Sequence, residues 1–453
     1  MLPRLLSRTS ASARRANEAR LKRVDNGRQR IFLVTWLTYA GFYFCRKNLS
    51  IVLPLLHSAS GIGNQQLAGI VFGYSLLYAV GQFGCGFLSD YFGPGRIIGT
   101  GLLLVIGSNL LMGLHAAPLW LLFFASLNGI GQSTGWSGLV KIMASWFSGH
   151  QRGIVMAWWG TNYVLGGFLA TAFATWAVTQ HVLAPQLGWR CGFLFPAFVL
   201  LIITIAFFAF VRDAPDETEP DLDQGSIASA QTERMSWNDL ASLLRSRSIW
   251  TIGTAYFFLE LCRYALMFWL PFYMVNRLKF PLETSGYVSS LYELAGVAGA
   301  VLAGYISDRF MQSRRAPISA IMLCGFGLAV LGEQFLARYG LLGIGFAISL
   351  AGMFSYGPDT LLSGAAAQDI GKEKATATAS GLIDGIGHLG SLFSPFLVVY
   401  ISGHYGWDRL FQFLAVASFA AAAALIPIWN LKPSDRSTSN DMPTKPELRR
   451  MNI

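Results

Sequence analysis

Apolar runs of about 20 residues, the length an α-helix needs to cross a hydrocarbon core, recur along this chain from Ile31 to Leu431. Inside lipid every backbone N–H and C=O has to be satisfied within its own segment, so such runs fold as helices. Reading on that scale gives about twelve spans. They lie near Ile31–Leu56, Leu67–Leu88, Ile97–Leu114, Leu119–Met143, Gly153–Val178, Cys191–Val211, Ile249–Val275, Ser285–Ile306, Ile318–Leu336, Leu341–Ala367, Ala375–Ile401 and Leu410–Leu431. Of the 453 residues 53% are hydrophobic and 13% charged, whereas a water-facing surface takes roughly a quarter charged residues. The 48 glycines suit helices that approach closely in lipid. The expected fold class is an all-α membrane protein with about twelve transmembrane helices in two six-helix halves.

Positive charge sets the orientation. Arg4, Arg8, Arg14, Arg15, Arg20, Arg23, Arg28 and Arg30 crowd the segment before the first span, opposed only by Glu18 and Asp25, as a cytoplasmic anchor does under the positive-inside rule. Arg96, Arg152, Arg309, Arg314, Arg315, Lys372 and Lys374 fall on the same side, whereas the loop from His57 to Gln66 has no Lys or Arg. Both termini are therefore expected in the cytoplasm, with the chain a multi-pass protein of the cell (inner) membrane. An Arg- and Ser-bearing leader also fits an organelle transit peptide, although its acids do not. The net charge of +10 thus reflects topology, and nucleic acid is not an expected partner. The expected organisation is a basic cytoplasmic segment (1–30), a first bundle (31–212), an acidic cytoplasmic linker (213–248), a second bundle (249–431) and a cytoplasmic tail (432–453).

Gly86-Phe87-Leu88-Ser89-Asp90 ends the second span and Gly304-Tyr305-Ile306-Ser307-Asp308 ends the eighth, each followed by basic residues. A motif repeated at matched places in two halves is the mark of a duplicated transporter, whose site is expected near the bilayer midplane where the repeats meet.

Charges inside the spans point to that site. A charge in hydrocarbon costs about 2.5–3.5 kcal/mol on insertion scales, so each needs a reason. Arg46 lies near the middle of the first span and Arg263 near the middle of the seventh, the first span of each half. A pseudo-two-fold axis would bring them face to face. Arginine stays charged, and its planar fork matches a phosphate or carboxylate, so a pair of them describes an anion site. Against this stands internal neutralisation: Glu260 sits three residues before Arg263 on the same helical face. Tyr39 and Tyr43 share a face with Arg46, while Tyr78, Asn162, Tyr356 and His388 fall mid-span as candidate hydrogen-bonding groups or as ordinary packing. Asp359 follows Gly357-Pro358, where a broken helix would free backbone groups, and Asp384 is a further intramembrane acid; either could carry a proton. Glu293 and Asp308 bracket the eighth span, and Asp90 and Asp308 stand beside basic loops. Salt bridges among them are candidates for latching the cytoplasmic face, with simple charge capping as the rival.

Other chemistries find no foothold. The chain has no phosphate loop for ATP, no H-E-x-x-H and no G-x-S-x-G motif. Cys45, Cys85, Cys191, Cys262 and Cys324 have no metal-ligand spacing, so they read as buried structural thiols. Neither metal nor cofactor is expected, and the chain is not an enzyme by this reading.

The stretch from Tyr39 through Tyr43 to Arg46-Lys47-Asn48 resembles the first-helix signature of the organophosphate:phosphate antiporters of the major facilitator superfamily. That family includes glycerol-3-phosphate and hexose-6-phosphate transporters and the sugar-phosphate exchangers. Further matches are Gly135-Trp136, Trp146-Phe147, Arg263-Tyr264, Trp269-Leu270-Pro271, Leu291-Tyr292-Glu293-Leu294-Ala295-Gly296 and Tyr356-Gly357-Pro358. The resemblance implies that Arg46 and Arg263 grip a phosphoryl group, with Tyr39, Tyr43, Tyr78 and Tyr356 lining the cavity. It further implies exchange of a phosphate ester for inorganic phosphate by rocking of the halves, in a chain that acts as a monomer in the lipid bilayer. Gln82 and Asn162 replace the Lys and His of bacterial relatives, and Glu260 adds a negative charge, so the cavity is less basic than the family pattern. Gly381-Leu382-Ile383-Asp384-Gly385 resembles the eukaryotic branch. A membrane sensor of external sugar phosphate and a carrier of other organic anions are the alternatives.

Overall fold

The computed structural model describes residues 2–147, 155–156, 158–180, 182–214 and 243–431, with side chains from residue 27 onward except those of 83, 86, 90, 365, 367–368 and 370–378. Among these residues the chain is helical and has no strand. The first half contains α1 (Leu2–Ser60), α2 (Asn64–Phe92), α3 (Pro94–Met112), α4 (Pro118–Ser133), α5 (Gly135–Trp146), α6 (Thr161–Thr179) and α7 (Cys191–Phe210). The second contains α8 (Arg247–Asn276), α9 (Leu282–Phe310), α10 (Arg315–Leu336), α11 (Gly340–Thr360), α12 (Ala366–His404) and α13 (Trp407–Ala424). Pro94 and Pro118 open α3 and α4 in the first turn, where a missing N–H has no intrahelical partner to lose. Because α4 and α5 form one span bent at Thr134, thirteen helices make twelve spans among the described residues.

Seven helical stretches are long and apolar enough on their own to cross a membrane, and one of them, Arg315–Gly364, holds α10 and α11 in succession. The helices that miss that mark are α1, α2, α4 with α5, and α6. All belong to the first half, and they carry Arg46, Lys47, Asn48, Gln82, Asn128, Gln132 and Asn162. Of these helices, α4 and α5 are short, with 16 and 12 residues, and Arg46, Lys47, Asn48, Asn128, Gln132 and Asn162 are buried inside the bundle.

The two halves use one packing scheme. In the first, α1 packs on α6 and α7, α2 on α4, and α3 on α4 and α7; in the second, α8 packs on α12 and α13, α9 on α11, and α10 on α11 and α13. The halves meet along α1 with α8, α2 with α12, and α6 with α9, a set that a two-fold rotation maps onto itself. Glycine sets the closest approaches. A Cβ on Gly299 of α9 would fall onto the Met353 carbonyl of α11, and one on Gly352 onto the Tyr292 carbonyl, so these two helices touch backbone to backbone.

The start of the fifth span, read as Gly153–Val178, lies outside the described residues; residues 155–156 and 158–159 are helical and α6 runs on from Thr161. Two features differ from expectation. The helix does not break at Pro358. It runs on to Thr360 and then widens into a π-helical turn, Leu361–Ala365. The loop expected around Lys372 and Lys374 is part of α12, whose start at Ala366 reflects the alanines there. The basic leader is continuous with the first span in α1, while most of the linker and the whole tail lie outside the described residues. All five cysteines are free; four are buried and Cys324 is exposed, because it faces away from the bundle on α10.

Candidate functional site

On α1, residues 39, 43 and 46 fall one helical turn apart and so share a face. Tyr39 packs in an aromatic cluster with Phe42, Tyr43, Trp136 and Trp159. The Arg46 guanidinium lies 4.6 Å from the Tyr43 ring centroid and 4.8 Å from that of Tyr78 on α2. Its Nε donates to Gln132 Oε1 at 3.3 Å, and Gln132 in turn donates to the Phe42 carbonyl at 2.8 Å, which fixes the amide. Arg46 is only 6% exposed, yet its Nη2 has no hydrogen-bond partner, and among the described residues it makes no ion pair. Stacking on two rings places the charge without neutralising it.

The equivalent face of α8 carries Tyr256, Glu260 and Arg263, at the same spacing as Tyr39, Tyr43 and Arg46. Glu260 therefore stands where Tyr43 stands in the first half. The Nη1 of Arg263 bonds Glu260 Oε1 at 2.5 Å and Asp359 Oδ1 of α11 at 2.7 Å. Tyr256 donates to the same Asp359 oxygen at 2.7 Å. Tyr356 supplies the ring, 4.6 Å from the guanidinium, and stacks in turn near Tyr163 and Tyr292. Arg263 is thus neutralised internally, as the Glu260 spacing allowed, and Arg46 has no such partner among the described residues, because the second half puts a glutamate where the first has a tyrosine.

A third cation was visible in the sequence only as part of a motif. Lys47 is 1% exposed and its Nζ donates to Glu293 Oε1, an ion pair that joins α1 of one half to α9 of the other. The second carboxylate oxygen of Glu293 is buried without a partner. This corrects the reading of Glu293 as part of a cytoplasmic latch: it stands mid-helix, where only another intramembrane charge can compensate it. Asp308 does lie at a helix end, but its partner is Arg315 at 2.5 Å, which also reaches Asp369 at 3.4 Å. These three residues sit on α9, α10 and α12 of the second half, which the cluster braces. The Asp90 side chain lies outside the described residues.

The remaining candidates converge unevenly. Tyr78 stacks on His388 of α12 at 5.7 Å, linking the halves, and its hydroxyl accepts from Gln82 at 2.9 Å. His388 Nδ1 donates to the Asp384 carbonyl at 2.7 Å, leaving a buried Nε2 with no partner. Tyr43 and His388 each lie within electrostatic reach of both arginines. Asn162 is fully buried with neither amide atom bonded. Asp384, for which the sequence named no partner, accepts from Ser380 at 3.5 Å. Sequence reasoning passed over Gln132 and Tyr256; of these, Tyr256 was recoverable from the repeated spacing on α1 and α8.

Comparison with known proteins agrees with this architecture. Residues 35–361 match the profile of the Major Facilitator Superfamily. The chain is 30% identical over 424 residues to the glycerol-3-phosphate transporter of Bacillus subtilis, covering 89% of this chain and 92% of that one. It is 26% identical over 423 residues to a Chlamydia trachomatis protein described as a probable hexose phosphate transport protein, covering 89% and 91%. A crystal structure of a bacterial homologue of the human lysosomal transporter Spinster, inward-facing and unoccupied, superposes with a TM-score of 0.72 over 89% of this chain and 95% of that chain, at 14% identity, and shares the fold. With its two six-helix halves meeting around buried charges, the chain belongs to the Major Facilitator Superfamily and is a multi-pass membrane transporter, not an enzyme.

Proposed function

We propose that this protein exchanges a phosphorylated metabolite, such as glycerol phosphate or a sugar phosphate, for inorganic phosphate by alternating access. The observation that carries the reading is Arg46: a buried guanidinium, stacked on two tyrosines, with a terminal nitrogen bonded to nothing. A buried donor left unsatisfied is costly, and a phosphoryl oxygen is the acceptor that its fork fits. The similarity to transporters named for glycerol-3-phosphate and hexose phosphate supports the same class of cargo. In this reading Arg46 is the primary phosphate ligand and Arg263 the second. Tyr39, Tyr43, Tyr78, Asn162, Tyr356 and His388 surround the ester, and a single chain works in the inner membrane with both termini in the cytoplasm.

The geometry gives exchange a physical basis. Closing the halves over an empty site buries Arg46 without a counter-charge, which is unfavourable. A phosphate in the site supplies that charge, so loaded carriers reorient and empty ones lag. The Lys47–Glu293 pair ties the halves together in the state seen here and has to separate when they rock apart. Proteoliposomes loaded with labelled phosphate test the reading: external glycerol 3-phosphate or glucose 6-phosphate is expected to release the label. No release by any phosphate ester overturns it.

A further inference from the structure

Between the halves, three cations face four carboxylates: Arg46, Lys47 and Arg263 against Glu260, Glu293, Asp359 and Asp384. With all seven groups ionised the layer carries more negative than positive charge, so a substrate phosphate, which brings between one and two negative charges of its own near neutral pH, adds to the excess even though Arg46 has no ion partner. At Arg263 the competition is direct at one nitrogen: Glu260 and Asp359 both bond Nη1, so a phosphoryl oxygen that grips the guanidinium there displaces them, while its Nε is buried without a partner. With oxygens 2.5 and 2.7 Å from one nitrogen, the two carboxylates converge on a single point. When the guanidinium turns to a substrate, they are left facing each other in a low-dielectric interior. Two like charges so close cannot both persist, and a shared proton resolves the repulsion.

We propose that Glu260 and Asp359 form a proton-binding site, holding Arg263 as an internal counter-anion in the empty carrier and taking up a proton when a phosphate ester claims that arginine. The proton comes from water on the open side, sits on a carboxylate oxygen, and leaves on the other side with the cargo as the pair closes on Arg263 again. Phosphate ester movement by this chain is therefore proton-linked. The proposal rests on the reading of Arg46 and Arg263 as the phosphate site.

The surroundings favour that proton. Every element packed on this part of α8 brings its own groups: Asp384 and His388 from α12, Tyr356 from α11, Tyr292 and Glu293 from α9, and Tyr43, Arg46 and Lys47 from α1. On α8 itself are Tyr256 and Tyr264, while α13 carries Asp408 and Arg409 only in its first turn, and Tyr163 of α6 also reaches Asp359. Lys47 is engaged by Glu293, so it offers the freed carboxylates no replacement. Asp384 lies within electrostatic reach of both and adds repulsion. Tyr256 already donates to Asp359, which leaves the Glu260 side as the open position for the incoming proton.

Isothermal titration of the purified chain with inorganic phosphate and with glycerol 3-phosphate, in two buffers of different ionisation enthalpy at pH 8, counts the protons exchanged. The wild-type chain is expected to take up about one proton per ligand bound. Affinity is expected to weaken about tenfold per pH unit in alkaline solution. In E260Q and D359N the uptake is expected to vanish, and phosphate exchange in liposomes to lose its pH dependence. Binding without proton uptake by the wild-type chain, or equal uptake in wild type and both variants, overturns the proposal while the transport reading stands. No binding heat together with no phosphate exchange overturns both.

Discussion

Arg46 and Arg263 occupy matched positions but do different jobs, and the difference lies in one neighbour each. Tyr43 stacks on Arg46 and leaves its charge free, whereas Glu260, three residues before Arg263, bonds it directly. Arg46→Lys replaces a bidentate fork with a point charge, so phosphate exchange in proteoliposomes is expected to fall by roughly tenfold or more. Near-normal exchange by that variant would contradict the central role given to Arg46. Lys47 yields a prediction on stability. Removing it leaves Glu293 buried and unpaired, a loss of about 3–5 kcal/mol. The thermal midpoint of Lys47→Ala in detergent is expected to drop clearly, and Lys47→Ala with Glu293→Ala to recover part of the loss. If the single and double variants melt alike, the pair is not the stabilising contact drawn here.

At the scale of the element, helix contacts depend on small residues as much as on apolar ones. The backbones of α9 and α11 approach at Gly299 and Gly352, where a side chain would collide with a carbonyl group. Gly352→Val is expected to cost about 1–3 kcal/mol through overpacking, read as a lower melting temperature. A glycine replaced at Gly364, where nothing lies within 4 Å, is the control that should change little. Boundaries were less legible in the sequence than the helices themselves. Span length and hydropathy located them, but Pro358 looked like a break and lies inside α11, which a π-helical turn follows. The Asp308 cluster, expected at the cytoplasmic face, joins Arg315 and Asp369 across α9, α10 and α12.

For the whole molecule, the proposed exchange requires the halves to separate along α2 with α12 and α6 with α9, where they meet in this structure. At the second seam, a Cβ on Gly286 would lie 2.8 Å from the Cβ of Thr175. Gly286→Cys with Thr175→Cys, in a Cys324→Ser background that removes the exposed native thiol, is expected to cross-link on oxidation. Oxidation should then stop exchange and reduction restore it; continued transport by the cross-linked form would exclude rocking about this seam. The chain alone determined the helices, the duplication and the presence of intramembrane charge, because hydropathy and the cost of a charge in lipid are properties of local composition. It also placed Arg46 and Arg263 at matched depth. Partner choice was decided only in three dimensions. Whether Glu293 meets Lys47, 246 positions away, and whether Asp359 joins Glu260 on Arg263, depends on how each helix is rotated, and residues so far apart along the chain carry no local signal of that rotation.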